Sequence, residues 1–148
     1  VVFPLLVAWG FARSLRSGRV PLITRIVQAL HARAGVPVEP PLERYARRLT
    51  AAWALLLALL AAINLALAMS AVPDGLLAAF GHQPRWPLSH AQWSWWANVA
   101  DWGLIGGFFV AEYALRCRLF PHRPYRSAGQ FVRQMGQLGP AFWRDLLR

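Results

Sequence analysis

Twenty-four consecutive residues, Leu49 to Val72, carry no formal charge, and this run limits what the chain can fold into more than any other feature. At 1.5 Å of rise per residue it forms a helix of about 36 Å. That is long enough to cross the roughly 30 Å hydrocarbon core of a bilayer with some tilt. Arg47 and Arg48 precede the run, and Pro73, Asp74 and Gly75 end it. Residues 93–115 are predicted to form a second span, although they include Asn98, Asp101 and Glu112. Trp93, Trp95 and Trp96 stand at its start, where indole rings favour the membrane–water boundary. Arg116 and Arg118 close it.

Composition points the same way. The chain is 57% hydrophobic and 15% charged, yet formally +10; a soluble domain is about one quarter charged. All 16 basic residues other than histidine are arginine, eight in segment 13–48, seven in 116–148 and only Arg85 in 73–92. The positive-inside rule then places both flanks in the cytoplasm and the connection 73–92 outside. The expected fold is all-α: a polytopic helical membrane protein with two complete transmembrane helices in a hairpin, plus amphipathic interfacial helices. Residues 1–12, apolar apart from breaks at Pro4 and Gly10, are too short to span alone. They read as the end of a truncated upstream transmembrane helix.

The cytoplasmic segments carry helical signals of their own. Leu22, Ile23, Ile26, Val27 and Leu30 recur at helical spacing. Pro21 suits a first turn and Gly35 a stop. An amphipathic helix over about 21–34, lying in the headgroup layer, is therefore expected. Pro41 to Arg48 is expected to begin the helix that becomes the first span. In the basic tail 116–148, Pro121 and Pro124 break the second span's helix and Ser127 is positioned to cap a short one carrying Phe131, Met135 and Leu138. Pro140 separates that from a last apolar segment.

Each span shows two distinctive faces. Ala54, Ala58, Ala62 and Ala66 make a small-residue stripe on the first, and Gly103, Gly107 and Ala111 on the second. Such stripes let helix backbones approach closely in lipid, although alanine is also simply common in helices of this composition. Asp101 and Glu112 share a stripe on the second span, about 16 Å apart along the axis. Asn64 and Asp101 fall at similar depths, but lie far round their helices from the small residues. Two helices cannot cover four faces, so further helices are expected, from upstream or from another copy.

The polar residues define the possible chemistry. A carboxylate in hydrocarbon is costly and usually has a task or a partner. Asp101 reads either as a proton or substrate contact or as a neutral carboxyl bonded to a helix such as the one carrying Asn64. Glu112, one turn from Arg116, reads as a salt link to Arg116, Arg47 or Arg48. Asp74, His82 and His90 lie on the connection but match no metal-site spacing, so no metal is expected. The sole cysteine, Cys117, excludes an internal disulfide and leaves a Cys-based zinc site unsupported. No nucleophile–base order, phosphate loop or metalloprotease motif is present. The dispersed arginines flank membrane spans and include no nucleic-acid module, so nucleic acid is not an expected partner.

Four stretches carry a resemblance: FARSLRSGRVPLITRI (11–26), LERYARRLT (42–50) running into Trp53, WWANV (95–99) and FFVAEY (108–113) followed by arginines. In this order they resemble an uncharacterised family of small bacterial inner-membrane proteins. That family is encoded beside acyl carrier proteins, ketosynthases and acyltransferases in aryl-polyene pigment clusters of the xanthomonadin type. The resemblance covers roughly residues 1–120; the external connection and the tail after Phe120 depart from it. It implies additional N-terminal spans and an accessory role in making or handling a polyene lipid; no cofactor is expected. Some relatives are labelled ketosynthases, but that chemistry needs a nucleophilic cysteine and two histidines in a large soluble fold, which Cys117 at a membrane edge cannot supply. Three roles follow as expectations. In the first, an arginine surface of Arg13, Arg16, Arg19, Arg25, Arg47, Arg48, Arg116 and Arg118 docks acidic acyl carrier protein or partner enzymes. In the second, Asp101 and Glu112 serve a transporter or flippase component. In the third, the chain is a purely structural membrane subunit.

Overall fold

The computed structural model describes residues 2–16, 18–71, 75–83, 86–121 and 127–147. Among these residues the fold is all-α. The helices are α1 (Val2–Ser14), α2 (Leu22–Ala34), α3 (Pro40–Ser70), α4 (Leu76–Ala79), α5 (His90–Trp95), α6 (Asp101–Leu119), α7 (Ala128–Gly136) and α8 (Gly139–Leu147), with a π-helical turn over Trp96–Ala100 between α5 and α6.

The long apolar run forms as one element with the segment before it. Prolines at the first two positions of α3 suit a helix start, where backbone N–H groups lack partners in any case. The helix then continues for 31 residues. Val72, Pro73 and Asp74, at the expected end of the span, lie outside the described residues. Among the described residues α3 is the one helix long and apolar enough to cross a membrane, and only 22% of its most apolar stretch is buried within the chain. Leu55 is 71% exposed and Leu59 56%. A soluble protein would cover such a helix with its own core.

The second run is helical from His90 to Leu119 without a gap, outrunning the expected 93–115 at both ends. Its start is a capping box: the Ser89 side chain accepts from the Gln92 N–H, and the Gln92 side chain returns to the Ser89 N–H. At Trp96–Ala100 the ladder slips to the wider π register, and the Asp101 N–H donates to the Trp96 carbonyl. A single helical projection therefore does not carry across this turn. The Asn98 amide donates to the Ser94 carbonyl at 2.8 Å just before it. Asp101, Glu112, Arg116 and Arg118 all fall within α6, which makes it less apolar than α3.

α1 packs on the middle of α3, with Phe11 against Trp53, and α2 packs on its first turns. Pro21 caps α2 rather than occupying its first turn, and Gly35, at φ 67°, ends it in the left-handed conformation that glycine adopts without strain. The α2 stripe expected to face headgroups instead packs on protein: Val27 lies against Leu42 and Ala46 of α3, and Leu30 against Phe131 of α7. The reason is local, because α7 and the start of α3 present matching apolar surface. Ser127 caps α7 as expected, accepting from the Gln130 N–H. Arg25 donates to the Asp145 carbonyl at 3.3 Å, and Arg33 donates to that of Gln137. All twelve described arginines belong to segments 13–48 and 116–147, and these contacts gather both segments at one end of α3. At the other end lie α4 and a bridge between Ala71 and Leu88. Gly75 sits so close to the Ala71 carbonyl that a Cβ there would fall on it.

The small-residue stripes are not the packing faces within this chain. Ala54 is half-buried, while Ala58, Ala62 and Ala66 are exposed, as are Gly103, Gly107 and Ala111. A Cβ added at either glycine would meet open space. The face of α3 that packs is Leu42, Ala46, Leu49, Thr50, Leu57, Leu60, Ala61 and Asn64. Aromatic side chains bridge α3 to the second run: Trp53 meets Phe108 edge-on at 4.8 Å, and Tyr45 meets Phe120 at 5.4 Å. The helices meet through these rings and not through the glycine stripe of α6.

Candidate functional site

Three places combine polar chemistry with enclosure. The first is at the base of α6. Glu112 and Arg116 are 7% and 6% exposed, and the Arg116 guanidinium lies 2.9 Å from Glu112 Oε2. The spacing of four residues sets both on one helix face. Tyr45 of α3 donates to Glu112 Oε1 at 3.3 Å. The Arg116 guanidinium also stacks over the Phe131 ring at 4.7 Å. Of the salt links open to Glu112 from sequence, Arg116 is the one found. Arg116 consequently leaves the exposed arginine surface to which the sequence assigned it. Beside the pair, a groove of about 440 Å³ runs between α3 and α6, lined by Tyr45, Arg48, Phe108 and Glu112.

The second place is Asp101. It borders a largely apolar cavity of about 270 Å³ formed with Val7 and Phe11 of α1, Trp53 and Leu57 of α3, and Ile105. Its Oδ1 is buried with no hydrogen-bond partner. The polar faces of α3 and α6 thus turn inward and the small-residue stripes outward. Asn64 is buried too, but its amide donates to the Leu60 carbonyl of its own helix at 2.9 Å and does not reach Asp101.

The third place is the arginine end. Arg16, Arg19, Arg25, Arg47, Arg48 and Arg118 are exposed and Arg13 is half-buried. Arg13 stacks over Trp9 at 5.0 Å. Arg13, Arg19 and Arg25 line one pocket of about 420 Å³ with Trp9, Val20 and Asp145. Sequence reasoning found these arginines from their number and position. It did not find Trp9, Tyr45 or Phe131, whose roles depend on packing between distant segments.

No metal-ligating group of three acidic, histidine or cysteine residues occurs among the described residues. His82 Nδ1 lies 2.9 Å from the Phe80 carbonyl, His90 stacks near Trp93, and Asp74 lies outside the described residues. Cys117 is half-buried.

Breaking a buried ion pair from one side leaves an uncompensated charge. Arg116→Ala should cost about 3–5 kcal/mol, whereas Arg118→Ala, at an exposed position, should stay within about 0.5 kcal/mol. Unfolding in detergent micelles compares them; equal effects would contradict the buried pair.

Compared with protein-family models, curated proteins and solved structures, the chain has no match.

Proposed function

We propose that this chain is part of a multi-pass protein of the bacterial inner membrane, in which α3 and the helical run 90–119 cross as a hairpin with the arginine end in the cytoplasm. Its exposed arginines dock acidic soluble proteins at the bilayer. The observation that supports this most is the gathering of both arginine-bearing segments at one end of α3, away from the connection around α4. That arrangement matches the charge asymmetry that orients membrane helices. The large apolar side chains left exposed on α3 and α6, Leu55, Leu59, Trp102 and Val110 among them, suit lipid contact.

The resemblance to proteins of aryl-polyene clusters implies the partner: an acyl carrier protein or an enzyme that acts with it. Carrier domains are acidic, and opposite charge raises the rate of encounter and fixes orientation. Docking would deliver a carrier-bound polyene chain next to the bilayer, into which an apolar product partitions. Arg16, Arg47, Arg48 and Arg118 are exposed contacts for this role, with Arg13, Arg19 and Arg25 at the corner between α1 and α2. Reversing Arg16, Arg47 and Arg48 to Glu should weaken carrier binding by about tenfold or more, and raising salt to about 0.5 M should do the same by screening. Binding by the detergent-purified protein to immobilised acyl carrier protein measures both. Affinity indifferent to charge reversal would overturn docking.

A second reading rests on Asp101. A carboxyl oxygen without a partner, facing an apolar cavity between three helices, suits a proton or substrate contact in a transporter or flippase component. On that reading Asp101→Asn abolishes pigment or lipid export in cells while the protein level in membranes is unchanged. Unaltered export, or loss that follows loss of protein, would remove it.

A further inference from the structure

The pocket between α1 and α2 differs from the rest of the arginine end in that three guanidiniums from three chain positions converge on one concave space. Arg13 comes from the last turn of α1, Arg19 from the connection and Arg25 from the first turns of α2. Guanidinium groups present planar donors matched to phosphate oxygens. One carboxylate, Asp145, shares the wall, so three positive charges less one negative leave a formal +2. Two of the arginines are already oriented: Arg13 by stacking on Trp9 at 5.0 Å, and Arg25 by donating to the Asp145 carbonyl at 3.3 Å.

The pocket has an apolar approach along α1. Val2, Leu5, Leu6 and Trp9 are exposed, at 70, 47, 63 and 58%, and their spacing places them on one face of α1 that ends at Arg13. The opposite face of α1 packs on α3, with Ala8 buried. A ligand that fits therefore combines an anionic head with a long apolar body lying along α1.

We propose that this pocket binds the headgroup of an anionic phospholipid, with phosphatidylglycerol as the best fit. The phosphate lies among Arg13, Arg19 and Arg25, and the acyl chains lie along Leu5, Leu6 and Trp9. The net charge of the pocket favours a head of net negative charge over a zwitterionic one. Asp145, which lines the same wall, offers an acceptor for a headgroup hydroxyl, which phosphatidylglycerol carries. The site rests on the membrane reading above, because it needs the pocket to stand at the level of the headgroups.

Native mass spectrometry of the protein extracted from membranes in detergent, titrated with dioleoylphosphatidylglycerol or dioleoylphosphatidylcholine, tests it. Wild type should bind phosphatidylglycerol in preference, with one lipid saturating first. Arg19→Gln, at an exposed position between helices, removes one charge-assisted contact and should weaken that first lipid by about tenfold. Arg44→Gln, at an exposed position on α3 outside the pocket, should leave it unchanged. Inorganic phosphate, which lacks the apolar body, should fail to displace the lipid at equal concentration; displacement would make this a free-phosphate site and overturn the lipid assignment. Equal binding of the two lipids, or equal loss in the two variants, would also overturn it. Recovery of the chain from the soluble fraction would instead overturn the membrane reading itself, and the lipid site with it.

Discussion

The buried Glu112–Arg116 pair holds the second helical run to the rest of the chain. Burying two charges is costly, and their mutual attraction offsets the cost only when the remaining donors and acceptors are also engaged. Here Tyr45 of α3 donates to Glu112 and the Phe131 ring of α7 covers the guanidinium. One ion pair on α6 therefore touches α3, distant in sequence, and α7, the next helix. Farther along, α6 meets α3 through Trp53 and Phe108, and beyond that contact the glycines of α6 face open space. The two long helices thus meet through side chains, at Tyr45 with Glu112 and at Trp53 with Phe108.

That placement has consequences for the outer surface. Because α2 packs on the start of α3, and α7 packs on α2 and the base of α6, the arginines of both flanks lie at one end of α3. Arg116 is buried to make the junction, and the others remain outside it. Arg13, Arg19 and Arg25 converge at the corner between α1 and α2, while Arg47, Arg48 and Arg118 stand apart from that corner on other elements. A basic surface that looks uniform in sequence is therefore divided into a concave site and a dispersed layer. The two suit different partners: a lipid head that enters, and an acidic protein that rests on top.

Much of the fold was legible in the sequence because its signals are local. A run without charge, two prolines, Gly35 and Ser127 each act within a turn or two of themselves, and the elements they mark are present. The π turn at Trp96–Ala100 was not legible, since it arises from a shift in backbone register that no composition or spacing announces. The small-residue stripes point outward because the polar faces of α3 and α6 turn inward, which is one of the two arrangements the helical angles allowed. The α2 stripe was read correctly as apolar but assigned to headgroups, because its covering residue, Phe131, lies about a hundred positions further along the chain. Glu112 with Arg116 was legible from a spacing of four, whereas Tyr45 and Phe131, which complete the cluster, were not.

The central claim is that the arginine end and the α4 end of α3 lie on opposite sides of a membrane. Accessibility of single cysteines tests it most directly. In a Cys117→Ala background, one cysteine replaces His82 near α4 and another replaces Ala128 at the start of α7, both exposed positions. A membrane-impermeant maleimide applied to intact cells with a permeabilised outer membrane should label His82→Cys, and should label Ala128→Cys only after the inner membrane is disrupted. Labelling of both positions in intact cells, or of Ala128→Cys alone, would contradict the account.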